Sequence, residues 1–112
     1  MIEQIIIDYL TEAQTLPVYA ETPVNAEDEY IVIERIGGSE VNLIREATVV
    51  VQTITNASLY RAAQLAEQIR ALMLDIVELN SVFHCSVNAG PYNYTDTSTK
   101  NYRYQTVYTI NY

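Results

Sequence analysis

The chain has 112 residues, 49% of them apolar and 18% charged, which bounds it to one modest globular domain and excludes a disordered or collagen-like polymer. Fourteen acids against six bases leave a net charge of −8. Tight nucleic-acid binding by counterion release needs more Lys and Arg than this, so the surface is expected to repel DNA. The single cysteine excludes an internal disulfide and fits a reducing cytoplasm.

Residues 2–14 (IEQIIIDYLTEAQ) predict a helix. Ile2, Ile5, Ile6, Tyr9, Leu10 and Ala13 recur at helical spacing, and Glu3 and Asp8 favour the N-terminal half. The absence of a basic segment ahead of the apolar run argues against a secretory signal. No apolar run approaches the roughly 20 residues of a membrane-spanning helix, so no membrane is expected among the partners. Pro17 closes the helix, because the residue before a proline is pushed out of the α region. A short strand is possible over Pro17–Ala20, followed by a loop through Pro23.

Tyr30–Ile36 (YIVIERI) is β-branched and aromatic and predicts a strand ended by Gly37-Gly38. Ala47–Thr55 (ATVVVQTIT) predicts a second, which leaves a projecting connection of roughly eight to ten residues, longer than the usual hairpin. Asn56 or Ser58 can cap the next helix. Ser58–Glu78 carries an apolar stripe of Leu59, Ala62, Ala63, Ala66, Ile69, Leu72, Met73 and Ile76; at 1.5 Å per residue it spans roughly 30 Å. Val82–Asn88 alternates as a strand. Residues 92–101 then read as a polar loop.

The closing run, Arg103–Tyr112 (RYQTVYTINY), completes the sheet. Tyr104, Thr106, Tyr108, Ile110 and Tyr112 fall on one face, and Arg103, Gln105, Val107, Thr109 and Asn111 on the other. The order helix, strand pair, helix, strand pair predicts an α+β two-layer sandwich: a mainly antiparallel sheet of four to five strands with both helices on one face.

Chemistry-bearing motifs are sparse. His84 and Cys85 are neighbours on a strand and point to opposite faces, so a thiolate–imidazole pair is not expected. The acids Glu21, Glu27, Asp28 and Glu29 lack the alternation and central glycine of a calcium loop, and one His with one Cys cannot build a zinc site. Gly37-Gly38 ends a strand instead of opening a helix, unlike a phosphate loop. Two N-x-S/T sequons, at Asn56 and Asn93, have no export signal to give them meaning. The expectation is a non-enzyme with no cofactor and no metal. The sharper reading of the charged residues is that Arg35, Glu40, Arg45 and Glu46, around the connection Gly37–Arg45, set register against a neighbouring copy.

Taken together, IEQIIIDYL, LPVYAETP, EYIVIERIGGS, ATVVVQTITNASLYRAAQLAEQIRALM and the Tyr/Thr-rich last strand resemble the tail terminator (tail completion, or minor tail) family of long-tailed bacteriophages and prophages. The resemblance lies in length and element order over nearly the whole chain, not in an invariant motif. It implies a small α+β subunit that assembles as a hexameric ring, caps the tail tube protein and meets the head–tail connector or neck protein, within a virion tail assembled in the bacterial host cytoplasm. It also implies subunit contacts through the connection Gly37–Arg45 and the loop Tyr92–Asn101, with Tyr92, Tyr94 and Lys100 as candidates. Six copies at −8 each bring about −48, so DNA would pass through without specific binding. The alternatives are a head-completion or stopper neck protein, and a small α+β ligand-binding or regulatory module.

Overall fold

The computed structural model describes residues 2–24, 27–41, 44–95 and 101–112, with the side chains of 41 and 44 left aside. Helix α1 (Ile2–Ala13) precedes a two-residue strand β1 (Val18–Tyr19) and two long strands, β2 (Glu29–Val41) and β3 (Ile44–Thr55). Helix α2 (Leu59–Leu74) runs into a 3₁₀ turn at Asp75–Glu78. Strands β4 (His84–Asn93) and β5 (Tyr102–Asn111) follow.

The sheet order is β1-β2-β3-β5-β4; every pairing is antiparallel except β1 with β2. Both helices lie on one face of it, as the periodicity predicts. Ile2, Ile6 and Leu10 of α1 and Ile69 and Met73 of α2 share one core with Ile31, Ile33, Val49, Val51, Tyr108 and Ile110 from the sheet. Each such side chain taken from water contributes about 1.5–3 kcal/mol, so this layer contact is the main source of stability. The two helices also touch through a polar bond: the Tyr9 hydroxyl donates to the Leu72 carbonyl at 2.7 Å. Its own burial, then the nearby acids Asp75 and Glu78, raise the Tyr9 phenol above its ordinary value.

Local chemistry sets the helix ends. Gln14 closes α1, donating from Nε2 to the carbonyls of Leu10 and Leu16 (both 2.9 Å) and accepting from the Leu16 amide at 2.7 Å. Of the two cap candidates it is Ser58 that serves, its Oγ accepting from the Arg61 amide at 3.0 Å. Leu59, placed in the buried stripe by spacing alone, is instead exposed, and Leu65, absent from that stripe, is buried.

Three boundaries depart from the sequence reading. Strand β2 does not end at Gly37-Gly38 but runs through both to Val41, because Thr48, Ala47, Glu46 and Arg45 of β3 continue the ladder opposite. The long connection is therefore a β-ribbon, with residues 42 and 43 alone between the strands. Strand β4 likewise extends past Asn88 to Asn93, its register shifting twice, between Val87 and Ala89 and between Ala89 and Tyr92.

Candidate functional site

The candidate interface residues separate into two groups. Arg35, Glu40, Arg45 and Glu46 are all exposed on the β2–β3 ribbon, with Glu40 opposite Arg45 and Ser39 opposite Glu46. Beyond Glu46, which pairs with Asn111, β5 ends and the ribbon continues alone. Tyr92 and Tyr94 lie at the other end of the sheet, six ladder positions away along β5, or ~20 Å at strand rise. Lys100 lies outside the described residues, as does most of the loop that follows Tyr94.

On the ribbon, the Arg35 Nε donates to the Gly37 carbonyl at 3.1 Å, and the guanidinium folds over Gly38. Arg45 lies over the Tyr112 ring, 4.7 Å from its centroid, and its carbonyl accepts from the Tyr112 amide at 3.0 Å. Such cation–π stacking at an exposed site is worth about 0.5–1 kcal/mol. Among the described residues neither arginine has a carboxylate within ion-pair distance. Arg61 with Glu29 is the only such pair among the described residues.

At the opposite end, Tyr92 and Tyr94 meet edge to face at 6.3 Å between centroids. A polar chain crosses the sheet face away from the helices: Arg103 Nη1 donates to Gln52 Oε1 at 3.2 Å, Gln52 Nε2 to Gln105 Oε1 at 2.8 Å, and Gln105 Nε2 to the Tyr92 hydroxyl. The chain holds these side chains flat over a face that no helix covers. Tyr19, Tyr30, Val32 and Ile54 form a small cluster at its β1 side.

His84 is exposed while Cys85 is buried, as expected of neighbours on one strand, and burial pushes the Cys85 thiol up to about 11. Among the described residues no three His, Cys, Asp or Glu side chains are grouped as a metal site requires, and no helix is long and apolar enough to cross a membrane. The acids Glu27 and Asp28 line a polar hollow of about 310 Å³ with Tyr30, Asn56 and Asn101. An open groove of about 470 Å³ runs along α2 past Tyr60, Ala63, Gln64 and Glu67.

Charge is distributed unevenly. Residues 1–34 contain eight acids and no Lys or Arg, while the rest of the chain balances six of each. These eight acids lie on α1 (Glu3, Asp8, Glu12), after β1 (Glu21), ahead of β2 (Glu27, Asp28) and on β2 (Glu29, Glu34), where Glu29 is paired with Arg61. This polarity and the two glycine-flanking residues of the ribbon, Ile36 and Ser39, escaped the sequence reading. No protein-family model matches the chain, and no curated protein matches it significantly.

Proposed function

We propose that this chain is a structural subunit of a bacteriophage tail, a tail terminator that forms a hexameric ring, caps the tail tube and joins it to the head. The observation that carries this reading is the two-layer architecture with its ribbon. Two helices bury one face of a single sheet, so the domain is complete by itself. The β2–β3 ribbon then presents charged, exposed side chains outside the hydrophobic core. A ring of identical subunits is a heterologous interface closed by rotation, and it needs a surface feature of this kind on each copy. The element order along the chain is that of the α+β sandwich expected from the sequence.

Sedimentation of the protein alone and mixed with tail tubes tests the proposal. A six-copy species, free or bound at tube ends in electron micrographs, is the expected outcome. A protein that leaves tube ends bare at every concentration would sink it. The groove along α2 favours one rival, the small ligand-binding module. That rival predicts a melting temperature that rises with a metabolite and no binding to tubes.

A further inference from the structure

The polar hollow of about 310 Å³ lies where β2 begins. Its walls are Thr22, Glu27 and Asp28 from the approach to the strand, Tyr30 within it, Asn56 just after β3 and Asn101 just before β5. Among the described residues no Lys or Arg lines it. Two arginines of the adjoining elements are engaged elsewhere, Arg61 with Glu29 and Arg103 with Gln52. The charge of the hollow is therefore that of Glu27 and Asp28. A pair of acids at a surface is ordinarily just solvated, and two features set this pair apart.

The first is a buried polar group at the wall. Tyr30 is only 4% exposed, with its ring packed among Tyr19, Val32 and Ile54. Its hydroxyl has no hydrogen-bond partner among the described residues and is not sealed inside the protein, so the part of Tyr30 left open is the part that meets the hollow. A tyrosine hydroxyl this deep ordinarily finds a partner. The second is that both carboxylates are already held in place. The Tyr19 hydroxyl donates to Glu27 Oε2, and Asn56 Nδ2 donates to Asp28 Oδ1 at 3.1 Å. The bond from Tyr19 holds the Glu27 carboxyl below its ordinary range. Each carboxylate thus has one oxygen fixed and one free. A guanidinium prefers both oxygens of one carboxylate, whereas an ammonium carries three separate donors on one compact charge. Single free oxygens on two carboxylates suit the ammonium. A bare metal ion fits less well, because no three His, Cys, Asp or Glu side chains are grouped among the described residues.

We infer that this hollow binds an alkylammonium group, held by the free oxygens of Glu27 and Asp28 with the Tyr30 hydroxyl as third acceptor. The group arrives on a free polyamine or on a lysine side chain of another protein, and the recognising chemistry is the same for both. The inference stands apart from the ring reading, since nothing in it depends on the number of copies.

Titration of the full chain with propylammonium, followed through the tyrosine ring signals by NMR, tests it. Saturable binding in the millimolar range is expected. Tetramethylammonium has the same charge and no N–H, and should bind at least fivefold more weakly. Asp28→Asn and Tyr30→Phe should each weaken propylammonium at least threefold while melting within a few degrees of wild type. Tyr30→Phe keeps the packed ring, so it decides alone if Asp28→Asn does not fold. A blocked lysine amide bound more tightly than propylammonium assigns the group to a protein side chain. Spermidine bound more tightly than either assigns it to a polyamine, provided that Tyr30→Phe removes the gain. Equal binding of tetramethylammonium, unchanged binding in the folded variants, or no saturation overturns the inference, because general attraction to an acidic surface would then suffice. Binding that appears only in Lys100→Gln overturns it as well, because the chain's own ammonium would then be the occupant.

Discussion

Tyr108 is fully buried, and its hydroxyl has no well-formed hydrogen bond among the described residues, although the Thr106 hydroxyl lies close enough to oppose the effect of burial on it. Burial raises the phenol well above its ordinary value, so the group stays protonated throughout the accessible range. An unpaired buried hydroxyl costs about 1–3 kcal/mol in lost solvation. Tyr108→Phe keeps the ring and removes the cost, so the variant should melt above wild type by the equivalent of about 1 kcal/mol. A lower melting temperature would mean that the hydroxyl holds a stabilising bond, to Thr106 or to a buried water. Alternation in the last strand was enough to send Tyr108 inward. What packs with it depends on α2, which brings Ile69 and Met73 into the same core cluster.

Among the elements, the start of α2 is tied to the sheet at one carboxylate. Glu29 accepts from Arg61 Nε at 2.8 Å and Nη2 at 3.1 Å, and from the Thr55 hydroxyl at 2.9 Å. The hydrogen bonds from Arg61, opposed by partial burial and aided by Thr55, hold the Glu29 carboxyl below its ordinary range. With the folded pKa depressed, the carboxylate contributes stability that is full above the unfolded value of about 4.3 and is lost as pH falls through the folded one. Chemical denaturation of Glu29→Gln should therefore show a lower midpoint than wild type at neutral pH. The two should converge below about pH 4. A constant gap down to pH 3 would exclude the linkage. Sequence reading put Glu29 in a solvated acidic run, since the partner that changes its role is 32 residues away and reaches it only when α2 folds back over β3.

At the scale of the molecule, the chain is elongated along its strands, 45 × 25 × 24 Å, and electrically lopsided. The acidic surplus lies within residues 1–34, offset at Glu29 by Arg61, while residues 35–112 hold six acids and six bases. A duplex approaching any side meets neutral or negative surface, with only scattered cations to release counterions. The dissociation constant for a short duplex at low salt should therefore be weaker than about 10⁻⁴ M, the loose end of non-specific binding. A fluorescence titration measures it; micromolar binding would contradict both the charge argument and a DNA-passing role.

Much of the architecture was legible in the residues alone. Both helices, their buried faces, the four principal strands, the separation of His84 from Cys85 and the one-sided sheet all follow from side-chain periodicity, which is a local property. The tertiary structure decided what depends on a partner distant in sequence. Strand β2 continues through two glycines because β3 offers it a ladder, and a ladder outweighs local propensity. The parallel pairing of β1, the Glu29–Arg61 tie and the division of the candidate interface residues into two ends of the sheet likewise depend on which segments lie side by side. An open edge is legible in no single strand, since it is defined by the neighbour that strand lacks.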